Sequence, residues 1–105
     1  MNDAAKAKKI ARRNDEFRRG DNEMAFTSGA FALPDLAGLL QAVKDYRDFT
    51  TENDPEGEHD FGVIEWKGEV VFWKIDYYDP TLEGWCDPLA EDCRRVLTVL
   101  LDSEW

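Results

Sequence analysis

No run of roughly 20 consecutive apolar residues occurs in this chain, so a membrane-spanning helix is not expected. Cysteine is scarce: Cys86 and Cys93 are the only two. A multi-bridge disulfide framework is thereby excluded. One bridge is possible, but a single pair without an export signal points to reduced, partly buried thiols. The basic N-terminus is followed by no apolar core of the kind a secretory signal needs, which makes the cytoplasm the expected compartment. There is no Gly-x-Ser-x-Gly, and Ser28 and Ser103 sit in no activating context. Gly29 and Gly38 stand alone, so no glycine-rich loop is available to cradle a phosphate. Internal repeats are absent as well. Positive charge is the last scarcity, with 13 basic against 23 acidic residues and a net charge of −10.

That charge is unevenly divided. Residues 1–19 carry seven basic and three acidic side chains, whereas residues 20–105 carry six and twenty. A short basic arm therefore precedes a strongly negative body, and these are the two expected parts of the chain: a basic helix over 1–19 and an acidic domain over 20–105. The field of the body favours cationic partners and opposes nucleic acid and anionic lipid. With 43% hydrophobic and 12% aromatic residues, the 105-residue chain has material for one core.

Residues 3–19 read as a helix with Asp3 at its start and Gly20 at its end. Its apolar stripe is thin (Ala7, Ile10, Phe17), which predicts weak docking outside the central core. Glu23–Thr27 reads as a short strand. Leu36, Leu39, Leu40, Val43 and Tyr46 follow helical spacing, which predicts a helix from Pro34 to Phe49 with Pro34 in its first position. Phe61–Trp66 and Glu69–Tyr78 flank Lys67-Gly68, a two-residue hairpin signal that pairs Trp66 with Glu69 and Ile64 with Val71. On that register Ile64, Trp66, Val71, Trp73, Ile75 and Tyr77 share a face, and Gly62 falls opposite Trp73, leaving room for the indole. Residues 79–93 read as loop. Residues 95–101 fit helix or strand, and the dense Val-Leu-Thr-Val-Leu-Leu run favours a strand. The expected fold is α+β: two helices packed on one face of a small, mainly antiparallel sheet of three to four strands.

Two constellations could carry chemistry. In residues 74–92, Asp76, Asp79, Glu83, Asp87, Glu91 and Asp92 interleave with Tyr78 and Trp85, and no basic residue follows Lys74. Such a stretch could meet a basic protein surface, with the two aromatics as anchors. The other is the loop 52–60, where Asp54, Glu56, Glu58, His59 and Asp60 are candidate metal ligands or a base–acid set. Its spacing departs from the calcium-loop pattern, and the six-residue gap between Cys86 and Cys93 suits no zinc site with His59. The plainer reading is a solvated turn whose polar side chains cap backbone amides.

Several segments together resemble a known family. They are Asn14-Asp15 to Arg18, Asn53-Asp54-Pro55, Gly57-Glu58-His59-Asp60-Phe61-Gly62, Phe72-Trp73-Lys74-Ile75-Asp76-Tyr77-Tyr78-Asp79 and Arg95-Val96-Leu97-Thr98. They resemble a family of small bacterial proteins designated domain of unknown function 3768. The resemblance implies bacterial, cytoplasmic proteins, often carried on plasmids or phages, and supplies no catalytic residues. By analogy, small acidic proteins of mobile elements act as anti-CRISPR or anti-restriction inhibitors.

The expectation is therefore a non-enzymatic acidic binding module without a cofactor, whose partner is a basic protein that normally binds nucleic acid. Direct binding to nucleic acid or membrane is not expected. The alternative function is a metal-dependent hydrolase or metal-binding regulator centred on residues 52–60. A homodimer, with the basic arm reaching a second acidic body, is the remaining arrangement.

Overall fold

The first helix, α1 (Asp3–Arg19), has the predicted bounds, although Asn2 rather than Asp3 caps it, accepting from the Ala5 amide at 2.8 Å. A computed structural model describes residues 2–105. After α1 come β1 (Met24–Phe26), α2 (Ser28–Phe31) and α3 (Leu36–Lys44). The chain continues through β2 (Phe61–Trp66), β3 (Glu69–Tyr78), β4 (Arg94–Leu101) and a 3-10 turn, η1 (Asp102–Glu104). The fold is α+β, with a four-stranded sheet in the order β1-β4-β3-β2.

The hairpin forms in the predicted register, with Trp66 opposite Glu69, Ile64 opposite Val71 and Gly62 opposite Trp73. Lys67 and Gly68 both have positive φ, the geometry that a two-residue turn between twisted strands requires. Residues 94–101 are a strand, antiparallel to β3. The sheet is mixed rather than all antiparallel, because β1 pairs parallel with β4, Met24 opposite Leu97 and Phe26 opposite Val99.

The predicted 34–49 helix is corrected. Asp35, with φ 56°, caps α3 by accepting from the Gly38 amide at 3.1 Å, so Pro34 lies outside the helix. At the other end the helix stops at Lys44. The Arg18 guanidinium takes the Val43 and Tyr46 carbonyls, each at 3.0 Å, and holds the chain there in a bend. Tyr46 then turns inward, its ring edge-on to Trp73. A short helix not foreseen, α2, starts at the Thr27 cap.

One face of the sheet carries the core: Val71, Trp73, Ile75 and Tyr77 of β3 with Leu97 and Val99 of β4. All three helices contribute to it, through Ile10, Ala30, Leu39 and Val43. The first helix is thus a full member of the core. It buries two polar residues, Asn14 and Arg18, along the same stripe as Ile10, where an apolar count finds little to pack.

Alternate side chains of β3 point to the opposite face. Here Phe72 meets Phe61 and the C-terminal Trp105, each pair of ring centroids 5.5 Å apart. Glu104 anchors this tail by accepting from the Thr27 hydroxyl and the Gly29 amide. The face stays open to solvent, for Val63, Val70 and Trp105 on it are all exposed.

Candidate functional site: an acid and aromatic notch at the end of the sheet

The outer edge of β3 is paired twice. As far as Ile75 it is paired with β2, the last bond running from the Ile75 amide to the Asp60 carbonyl at 2.8 Å. From Tyr77 onward a second segment takes over. Cys86 donates to the Tyr77 carbonyl, Asp79 donates to the Gly84 carbonyl, and Trp85 bridges to Tyr78. Between the two lies a notch of about 350 Å³ lined by Asp60, Asp76, Tyr78, Glu83 and Trp85, with Ile75, Tyr77 and Gly84 behind them. As cross-strand partners, Tyr78 and Trp85 project to the same open face. Trp85 is 73% exposed, the most exposed large apolar side chain among the described residues.

The turn that delivers Glu83 and Trp85 is built by Asp79. Its Oδ1 accepts from the Thr81 amide, the Thr81 hydroxyl and the Glu83 amide at 3.0, 2.6 and 3.3 Å. Asp79 therefore shapes the notch rather than lining it. The remaining predicted acids lie elsewhere. Asp87 accepts from the Leu89 amide and stands 3.9 Å from Lys6. Glu91 and Asp92 border a second, wider cleft of about 800 Å³ that also contains Arg13, Arg94 and Arg95, so their charge is locally opposed. Of the eight residues read as partner-binding, Asp76, Tyr78, Glu83 and Trp85 come together. Asp60, read as part of the metal loop, joins them.

The loop 52–60 works mainly as a staple. Asp54 is buried and accepts from the Glu58 and His59 amides. His59 has φ 56°, lies with Nδ1 3.1 Å from both Asp15 oxygens, and stacks on Phe49 at 3.8 Å. Glu56 and Glu58 face a third cleft beside Asp3 and Lys6. Among the described residues, no three His, Cys, Asp or Glu side chains are grouped so as to hold a metal ion.

Sequence reasoning missed the polar network behind the notch. Asn14 donates to Tyr77 Oη at 2.8 Å and to the Glu58 carbonyl at 2.9 Å, while its Oδ1 accepts from Arg95 Nε at 2.6 Å. Tyr77 Oη in turn donates to Asp60 Oδ2 at 3.4 Å. The available signal was a pair of polar residues, Asn14 and Arg18, spaced i, i+4 on the stripe that holds Ile10.

Burial holds the Asp60 carboxyl above the ordinary range, with Asp54 adding to the push, and Glu58 moves the same way, again first through burial. Asp79 moves down because the Thr81 hydroxyl donates to it, and Glu104 moves down through Thr27. A carboxyl raised in the folded chain binds a proton before the unfolded chain does. It therefore adds stability as pH falls through its raised value, and that gain is lost as pH rises again. A lowered carboxyl adds stability above its ordinary value, which is lost as pH falls through the folded one. The expected result is maximum stability on the acid side of neutrality. Asp60→Asn should flatten the limb between that maximum and pH 7. Melting midpoints across the range test this, and an unchanged limb in the variant would contradict the assignment.

No curated protein and no solved structure shows significant similarity to this sequence. Residues 5–104, which include nearly all of α1 and the whole sheet, match the family described as "Protein of unknown function (DUF3768)", and the chain belongs to that family.

Proposed function

We propose that this protein is a non-enzymatic binding module whose notch accepts a basic segment of another protein, one that itself handles nucleic acid. The observation that carries the reading is the convergence of Asp60, Asp76 and Glu83 with Tyr78 and the exposed Trp85 at the edge of the sheet. Asp76 and Tyr78 stand on the open face, Asp76 paired with Lys74 at 2.9 Å, while Asp60 reaches the notch from the core side, where it accepts from Tyr77. A guanidinium or ammonium group entering the notch would meet carboxylates on its charge and aromatic rings on its flank, two attractions that reinforce each other. The net charge of −10 adds long-range steering toward a cationic partner. A cytoplasmic inhibitor of a host defence system, occupying a groove meant for nucleic acid, is the most concrete form of this function. The division of the acids narrows it: a short acid and aromatic contact replaces a long row of phosphate-like charges, since Glu91 and Asp92 lie among arginines.

The test is calorimetric titration with an arginine- and lysine-rich peptide at about 50 and 500 mM salt, where screening lengths differ severalfold. Affinity is expected to fall at least about tenfold between the two conditions. Trp85→Ala should cost about 2 kcal/mol, or roughly 30-fold, at the lower salt. Equal binding at both salts, or full binding by an Asp76→Asn, Glu83→Gln, Trp85→Ala variant, would remove the proposal.

A further inference from the structure

The outward side of α1 is a basic surface with no acidic partner in its own chain. Lys8, Lys9, Arg12 and Arg19 are all exposed, on the side of the helix turned away from the buried Ile10, Asn14 and Arg18. None of the four forms an ion pair among the described residues, whereas Lys6, on the flank, stands 3.9 Å from Asp87. Arg12 has Lys8 and Lys9 as neighbours at i,i+4 and i,i+3, where like charges repel. The helix packs on the core face of the sheet through Ile10, so this stripe is the outermost surface on that side. The notch opens at the end of the sheet toward the other side, where Asp76, Tyr78 and Trp85 project. One molecule therefore cannot bring its own stripe to its own notch.

We propose that the α1 stripe is an interaction surface whose partner is the notch of a second copy of this chain, so that molecules associate head to tail. Charge complementarity selects that occupant. The stripe offers ammonium and guanidinium groups, and the notch gathers Asp60, Asp76 and Glu83 beside the rings of Tyr78 and Trp85. A nucleic acid laid along α1 would meet Asp3 and Glu16 as well as the cations, whereas the notch makes a short, local contact. Two copies at −10 each repel at long range, but at physiological salt that field is screened beyond about 8 Å, and charges in contact still attract. Because stripe and notch face opposite ways, each copy uses one of each, and the contacts continue from copy to copy instead of closing into a dimer. The inference rests on the reading of the notch as an acceptor of cations.

The test is sedimentation of the full-length chain at about 0.05–1 mM, the range that a contact of a few exposed charge pairs populates. It is run at about 150 mM and about 1 M salt. The mean mass is expected to rise with concentration past that of a dimer, and to fall to that of the monomer at the higher salt. A Lys8→Glu, Arg12→Glu variant should stay monomeric, and so should Asp76→Asn, Glu83→Gln, Trp85→Ala. Mixed, the two should form a one-to-one complex, because the first keeps its notch and the second its stripe. Wild type that is monomeric throughout, a stripe variant that associates like wild type, or a mixture that stays monomeric would overturn the proposal. So would stripe-dependent binding of a DNA duplex without self-association. The stripe variant should also keep its affinity for the arginine- and lysine-rich peptide. Peptide binding by a wild type that never self-associates would sink this inference alone, and absence of both would sink the notch reading with it.

Discussion

Arg18→Ala is expected to destabilise the fold by about 3–5 kcal/mol, the range found when one member of a buried charged network is removed. Arg18 is 1% exposed although it lies on the helix with the most basic residues. Its guanidinium donates to the Val43 and Tyr46 carbonyls and to Asp15, and it lies over the rings of Trp73 and Phe49 at 4.9 and 5.4 Å. Alanine would take the donor from the Tyr46 carbonyl, leave the Val43 carbonyl only backbone amides such as that of Tyr46 at 3.3 Å, and vacate the space beside two aromatic rings. Lysine should not restore stability, because a point charge cannot fork between two carbonyls and a carboxylate. Against a typical domain stability of about 5–15 kcal/mol, the loss would be evident in a urea titration. A change below about 1 kcal/mol would mean that α1 is a dispensable arm after all.

Gly62→Val should be nearly as costly, at about 3 kcal/mol, the upper end of the usual range for overpacking a core. A Cβ at residue 62 would run into Nε1, Cε2 and Cζ2 of Trp73. The indole cannot step aside. It is fully buried, meets Tyr46 and Phe49 edge-on, and has Arg18 on its face. Its buried N–H, which has no hydrogen-bond partner among the described residues, faces the bare glycine backbone. The discriminating measurement is a double-mutant cycle in urea. Gly62→Ala should cost much less in a Trp73→Phe background than in the wild type, because the clashing atoms are gone. Additive costs would show that the glycine serves some other need.

The hairpin was legible because alternation over Ile64–Tyr77 and the Lys67-Gly68 turn leave one register that buries the large side chains. The last strand was legible from its β-branched and leucine-rich run. The parallel contact of β1 with β4 was not, since it joins residues more than 70 apart through a strand of three. No local period encodes such a pairing. The 34–49 helix was over-read because its end depends on Arg18, a residue on a different helix whose charge argues for the surface. In the site, Asp76, Tyr78, Glu83 and Trp85 are gathered by the turn at residues 79–84, and the Asp79-Pro80 step hinted at that turn. The neighbouring acids looked equivalent in sequence. Tertiary packing separates them, giving Asp79 to the turn, Asp87 to the vicinity of Lys6, and Glu91 and Asp92 to the arginine-bearing cleft.

Backbone and indole amide spectra of the labelled protein, recorded with and without the arginine- and lysine-rich peptide, locate the contact residue by residue. If the notch is the binding site, the low-salt shifts will cluster at Asp60, Asp76–Tyr78 and Glu83–Trp85, led by the Trp85 indole N–H. Shifts centred on Glu56 and Glu58, or spread evenly over all acidic segments, would contradict a defined notch and leave only diffuse charge attraction.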